Sequence, residues 1–219
     1  MIDKAQRTGG IVAIAEGIIY VFGFALFFTF MNPLADEAKS SLEKLMFIIE
    51  NKTIFQVWIL TIYVVFGILL VPLTIAIYEN FKEPSLIGKA TPIFGFIWSG
   101  LVISSGMIAN IGIDAVAKMF VTDQNQALTS WQTIEAIQNG LGGGVEVVGG
   151  LWVLLISITA IQQTVFSRFL NYLGLVVGAA GILTIIPGLK DLGAIFGLLQ
   201  IVWFIWIGIE MIRNKNNSR

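Results

Sequence analysis

The chain has 219 residues, of which 56% are hydrophobic and 12% are charged, and its formal net charge is −1. Because soluble domains carry about twice that charged fraction, the composition indicates a membrane protein, and no basic patch points to nucleic acid as a partner. The sequence contains no cysteine and no histidine, which excludes disulfides, thiolate or imidazole metal sites and Ser-His catalysis. Neither a cofactor nor an enzymatic activity is therefore expected.

Six continuous apolar runs predict an all-α membrane protein, with six transmembrane helices in one bundle that forms a single domain over residues 1–219. A run of about 20 apolar residues is long enough to cross about 30 Å of hydrocarbon as a helix. The predicted spans are residues 9–31, 54–78, 92–113, 133–162, 169–186 and 192–212. The lipid bilayer is thus the first partner that the sequence predicts.

The N-terminal run is interpreted as a retained first span. Lys4 and Arg7 precede it, but it is longer than the apolar region of a typical signal peptide, and no cleavage site follows it cleanly. Asn32-Pro33 ends the span. Apolar residues then recur at helical spacing through 34–52, which predicts a short helix on the membrane surface; an ordinary exposed loop helix fits the same pattern.

Prolines are expected to shape the second span and to mark the start of the third. Pro72 lies inside the second span and is expected to kink it, because its ring removes a backbone donor. Pro92 is expected to open the third span, since proline suits the first turn of a helix. Asp114 and Lys118 follow that span with the spacing of a helical ion pair, and residues 121–130 are expected to form a polar loop.

The fourth span contains the most unusual pattern in the chain. Read as one helix, it places polar and small residues on a single face, because they recur every three or four positions. This face should run from the external surface to about the middle of the membrane, and it should contact other helices or water. Its members are Glu135, Gln138, Asn139, Gly142, Glu146, Gly149 and Gly150.

Glu146 is the central candidate for function. A charged residue inside a span costs about 2.5–3.5 kcal/mol on insertion scales, and no span offers a basic residue to pair with it. It is therefore expected to be protonated, to bind a cation or to lie in a wet cavity. Glu16, inside the first span, raises the same question. The structural alternative is that each carboxyl hydrogen-bonds a neighbouring helix and only stabilises packing.

The remaining candidate residues surround this pair. Glu135 and Asp114 are predicted to form an acidic external mouth that concentrates cations. Asn139 belongs to the polar face of the fourth span, and Asn110 is expected to lie beside the carboxyls as a hydrogen-bonding neighbour. No catalytic residue and no metal ligand is predicted.

Lysine and arginine are more frequent on one side of the spans, which predicts that both termini are cytoplasmic in the plasma (inner) membrane. GxxxG pairs occur in the fifth span, at Gly174 and Gly178, and in the sixth, at Gly193 and Gly197. Such pairs are typical of helices that pack closely.

Three segments carry a resemblance to a family. They are Arg7 with Gly9-Gly10, the run LWVLLIS at 151–157, and FLNYLG at 169–174. With these, the chain resembles a family of small bacterial six-span membrane proteins known only as a domain of unknown function. The resemblance implies a six-helix bundle and brings no activity or ligand with it.

Together these observations predict a non-enzymatic membrane protein that binds or translocates a small solute, proton or cation at Glu146, with Glu16 as a second acidic group on the path. The alternative is an assembly subunit whose glycine-rich faces dock another membrane protein or a second copy of the chain. A third alternative, an enzyme acting on lipids, would need paired acids or metal-bound water.

Overall fold

The computed structural model describes residues 4–143 and 146–213, and within these ranges the chain is helical, with no β-strand. The prediction of an all-α chain is confirmed. The helices are α1 (Lys4–Thr29), α2 (Ser41–Glu50), α3 (Lys52–Ile59), α4 (Phe66–Tyr78), α5 (Leu86–Phe120), α6 (Gln124–Gln138), α7 (Val147–Gln163), α8 (Arg168–Leu183) and α9 (Leu192–Arg213). Short 3-10 turns occur at Asn32–Leu34 and Pro187–Leu189, and π-helical turns at Leu60–Val65 and Asn139–Gly143.

Among the residues that the structure describes, five helical segments are long and apolar enough to cross a membrane: Lys4–Thr29, Lys52–Tyr78, Leu86–Phe120, Gln124–Gln163 and Leu192–Arg213. The shorter α8 is also apolar, but its 16 residues rise only about 24 Å. Large apolar side chains are exposed along the outside of these helices, among them Ile18, Ile68, Phe96, Val176 and Leu198. An exposed apolar surface of this extent fits a protein embedded in lipid.

The third span begins earlier than predicted. Helix α5 starts at Leu86, where the hydroxyl of Ser85 accepts a hydrogen bond from the Gly88 amide at 3.4 Å. Pro92 therefore lies inside the helix, where it cannot donate to the Gly88 carbonyl. The Thr91 hydroxyl donates to that carbonyl instead, at 2.7 Å, so the helix continues through the proline.

The polar loop predicted at 121–130 is largely helical, and that prediction is wrong. Helix α6 begins at Gln124, and Asp123 caps it by accepting a hydrogen bond from the Gln126 amide at 2.9 Å. Polar residues are compatible with a helix when its N-terminus is capped and one of its faces packs. Here Ala127 and Trp131 supply the packed face.

The fourth span is interrupted, so the prediction of one continuous helix over 133–162 is also wrong. The π-helical turn Asn139–Gly143 follows α6, and within it Gly142 has a φ of 116°. Glycine adopts that conformation without a steric penalty, whereas other residues rarely do. Helix α7 restarts at Val147, after Glu146. Glu135 and Glu146 therefore do not share one helical face.

The helices pack around two apolar clusters. The inner cluster lies within the bundle and contains Phe66, Trp98, Trp152, Trp203 and Phe204. The outer cluster joins α2 and α3 to α6 and the C-terminal third of α5, through residues that include Leu45, Ile59, Ile113 and Trp131. The segment 34–52 thus contains a helix, α2, whose buried face packs on the protein itself.

Glycines bring two helix pairs into close contact within the bundle. A Cβ at Gly10 would lie 2.7 Å from the Gly208 carbonyl oxygen, which places α1 directly against α9. A Cβ at Gly150 would lie 2.7 Å from the Gly178 carbonyl oxygen, which does the same for α7 and α8. The backbones meet because no side chain separates them.

Several loops and helix ends meet at one end of the bundle. The side chain of Gln6 donates to the Ala76 carbonyl at 3.1 Å, which joins the start of α1 to the end of α4. The Lys82 amide donates to the side chain of Gln163 at 2.8 Å, and the Ser167 amide donates to Glu210 at 2.8 Å.

Candidate functional site

A cavity of about 370 Å³ lies beside the interruption of the fourth span. It is enclosed by the second half of α1, the segment around the π-helical turn Leu60–Val65, the middle of α5 and the start of α9. Much of its wall is aromatic: Tyr20, Phe24, Phe27, Trp58, Tyr63, Phe66, Trp98 and Phe196. Cavities of this size, mostly apolar with a few polar groups, are typical of small-molecule sites.

Glu146 is the acidic residue in this wall, and its backbone is fixed to α8. Its amide donates to the Thr184 hydroxyl at 2.9 Å, and that hydroxyl donates to the Gly181 carbonyl at 2.7 Å. Its own carbonyl accepts the Gly150 amide of α7 at 2.8 Å. The side chain is partly exposed and lines the cavity. The interruption therefore presents a carboxyl group to an aromatic space.

Lys190 is the basic residue in the same wall. It lies in the turn before α9, its side chain is exposed, and it does not form an ion pair with Glu146. The single ion pair within the described ranges joins Lys52 to Asp114. Sequence reasoning missed Lys190, because a lysine in a short turn between two spans carries no distinguishing pattern. Its only signal was its position three residues before the GxxxG pair at Gly193 and Gly197.

The aromatic side chains of the wall are held in place by contacts with one another and with neighbouring residues. The rings of Tyr20 and Phe66 pack edge to face, with 5.5 Å between their centroids. The rings of Phe66 and Trp98 also pack edge to face, with 5.2 Å between their centroids. The indole N–H of Trp58 donates to the Gly23 carbonyl at 3.2 Å. The side chain of Gln138, in the last turn of α6, is hydrogen-bonded to the Tyr63 hydroxyl. These contacts fix the rings before any ligand binds.

Glu16 lies in α1, one helical turn from Tyr20, and is fully buried at 0% exposure. Neither of its carboxyl oxygens has a hydrogen-bond partner among the described residues, and the same holds for both amide atoms of Gln200, also at 0% exposure. Gln200 lies on α9, one turn from Phe204, whose ring is 6.0 Å from that of Tyr20. An ionised, unpaired carboxyl at such a place costs several kcal/mol, so Glu16 needs a proton or a cation.

Asp114 and Asn110 lie away from the cavity. Asp114 accepts hydrogen bonds from Lys52 at 2.6 Å and from Gln56 at 3.2 Å, so its partner is Lys52 of α3, and the pairing with Lys118 that the spacing predicted is not formed. Gln56 also donates to the Asn110 carbonyl at 3.2 Å. These four residues join α3 to α5 near the outer cluster, and none of them lines the cavity.

Glu135 and Asn139 also lie outside the cavity wall. Glu135 is half-buried on α6 and is hydrogen-bonded by the side chain of Trp131, and Asn139 is exposed at the start of the π-helical turn. In the part of the chain that the structure describes, no group of three or more acidic residues is placed to hold a metal ion. Of the six residues predicted for the site, Glu146 lines the cavity, and Glu16 lies one turn from its wall.

No protein-family model matches the chain, and no curated protein or solved structure is significantly similar to it. A function cannot therefore be transferred from a relative. What the protein does has to be inferred from the cavity, the residues that line it and the buried polar groups beside it.

Proposed function

We propose that this protein binds a small, positively charged group in the aromatic cavity at Glu146 and moves the solute that carries it across the bilayer. The observation that carries the proposal is the interruption of the fourth span. It puts the Glu146 carboxyl, which forms no ion pair with any residue that the structure describes, in the wall of a cavity. Non-helical backbone is tolerated at membrane depth only where it is buried or lines a cavity. In many transporters, interrupted helices of this kind form the substrate site.

The proposed topology has six spans. Helix α8 is short, but Ile185 and Ile186 beyond it are exposed at 64% and 45%, which suits contact with lipid and lengthens the apolar segment. Six spans put both termini on one side, and the distribution of lysine and arginine assigns that side to the cytoplasm of a bacterial plasma membrane. The cavity then opens toward the external side, and α2 lies near the external membrane surface.

The proposed path leads from the cavity to Glu16. Tyr20 lines the cavity, and Glu16 lies one turn, about 5.4 Å, farther along α1 toward the cytoplasmic end. The amide of Gln200, which has no hydrogen-bond partner in the described part of the chain, lies on α9, and α9 packs directly against α1. Buried polar groups without partners are seldom kept in a bundle unless something polar meets them. Glu16 is thus the next place where a proton or cation could rest.

The proposal is tested by measuring currents in proteoliposomes under gradients of protons, Na⁺ or tetramethylammonium. The native protein should carry a current with at least one of them. Glu146→Gln should abolish it, because the amide keeps the shape but removes the charge. Glu135→Gln is the matched control, since this carboxyl lies outside the cavity, and it should leave the current unchanged.

Two results would overturn this function. One is that the native protein carries no current with any of the three ions and binds neither these ions nor a neutral solute that contains a methylated ammonium. The other is a current that Glu146→Gln leaves unaltered. A stoichiometric membrane-protein partner that copurifies in mild detergent, together with either result, would favour an assembly subunit instead.

A further inference from the structure

The cavity wall contains one acidic side chain, Glu146, and one basic side chain, Lys190, and the two do not neutralise each other. Glu146 and Lys190 both line the cavity, yet they form no ion pair. Each can therefore interact with a separate group on a ligand. A wall with one carboxylate and one ammonium complements a solute that is neutral overall and carries both charges, whereas a simple cation would meet repulsion from Lys190.

The rest of the wall favours an ammonium group that needs few hydrogen bonds. Eight aromatic side chains contribute to it, and aromatic faces attract cations through the ring quadrupole. Among the side chains that line the cavity, the hydrogen-bond acceptors are the carboxyl of Glu146 and the phenols of Tyr20 and Tyr63. A primary ammonium would lose hydrogen bonds to water on entering, while a methylated ammonium has fewer or none to lose. Aromatic cages are a recurring way to recognise such groups.

From these features we infer that the solute is a compact zwitterion: a methylated ammonium joined by a short linker to an anionic group. The ammonium lies among the aromatic rings beside Glu146, and the anionic group faces Lys190 at the rim of the cavity. The cavity volume of about 370 Å³ is near the lower end of the range for ligand sites, which favours a compact molecule. The inference rests on the proposed function, because it names the solute that Glu146 would hold.

The test compares three probes of similar shape on the full chain in lipid nanodiscs, with affinity read from tryptophan fluorescence and by calorimetry. Trimethylammonioacetate carries both charges, choline carries the ammonium alone, and tert-butylacetate carries the anion alone. Trimethylammonioacetate should bind most tightly, and loss of either charge should weaken binding about tenfold or more.

Two variants assign the charges to their partners. Lys190→Gln should weaken the binding of trimethylammonioacetate about tenfold and leave choline unchanged or slightly tighter. Glu146→Gln should weaken both of these probes. Lys89→Gln, an exposed lysine at the other end of the bundle, and Glu135→Gln are the matched controls and should change neither affinity.

The outcomes separate this inference from the proposed function. If choline binds with dependence on Glu146 but trimethylammonioacetate binds no better, the zwitterion is wrong and the proposed function stands. If trimethylammonioacetate and tert-butylacetate bind equally, the ammonium is not recognised and the inference fails. If no probe binds and no ion current is seen, the inference and the proposed function are both wrong.

Discussion

Thr184 should control both the stability of the interrupted span and the position of Glu146. Its hydroxyl accepts the Glu146 amide at 2.9 Å and donates to the Gly181 carbonyl at 2.7 Å, and the residue is 1% exposed. Thr184→Val keeps the shape of the side chain but removes the hydroxyl. The Gly181 carbonyl still accepts the amide of residue 184, so the main loss is the partner of the Glu146 amide.

A buried donor left without a partner costs about 1–3 kcal/mol. For a chain of this length, a loss of about 2 kcal/mol corresponds to a fall in Tm of about 4–8 °C. The Tm is measured in detergent by the change in intrinsic fluorescence, with Thr184→Ser as the control, because serine retains the hydroxyl. The valine variant should also bind a cationic probe more weakly, since the interruption would hold Glu146 less firmly. A valine variant with the same Tm as the serine variant would refute this role for the hydroxyl.

Two further predictions concern helix packing and pH. Gly150→Ala should prevent close packing of α7 on α8, because the new Cβ would lie 2.7 Å from the Gly178 carbonyl oxygen. Gly100→Ala is the control and should fold normally, because its Cβ would lie in open space. A Gly150→Ala protein that is fully stable and monodisperse on size exclusion would contradict this packing. The capping box of α2 should open in acid. The hydrogen bonds from Ser40 hold the pKa of the Glu43 carboxyl below its usual 4.5, so its contribution is complete above that value and is lost as the pH falls through the lowered pKa. Protection of the first turn of α2, corrected for the intrinsic exchange rate, should therefore fall only in acid. Glu43→Gln, which has no charge to lose, should be less protected than the native protein at neutral pH and should not change in acid. A native protein without an acid-dependent change in protection would count against this role of Glu43.

The all-helical fold and the presence of several long apolar helices could be predicted from the sequence, because long apolar runs leave few alternatives in a bilayer. The boundaries were harder, since they depend on single hydrogen bonds. Pro92 is a common first-turn residue, but here the Thr91 hydroxyl satisfies the carbonyl that the proline leaves free. Asp123 likewise turns a polar segment into the start of a helix. Neither of these hydrogen bonds can be recognised from the pattern of hydrophobic residues in the sequence.

The candidate site was predicted in part. Glu146 could be identified because a carboxyl in an apolar run is costly and therefore informative. The helical periodicity that linked it to Glu135 assumed a continuous helix, and the backbone at Gly142 breaks that assumption. The glycines in this stretch were visible, but glycine serves close packing as often as an interruption.

The aromatic wall and Lys190 could not be predicted, for a different reason. Aromatic residues in a span look the same in sequence whether they fill a core or line a cavity, and only the packing of four separate segments distinguishes the two. Lys190 joins the wall because the chain turns there into α9.

The length of α5 has a practical consequence. Its 35 residues extend for about 52 Å, which exceeds the roughly 30 Å of a hydrocarbon layer, and its C-terminal third belongs to the outer cluster. We therefore expect the outer cluster to project from the lipid as a compact, folded knob. A folded region that projects from the membrane is a suitable epitope for a recombinant antibody fragment. A fragment bound there would add mass for particle imaging to a protein of 24.0 kDa, and labelling of intact cells would reveal on which side of the membrane it stands.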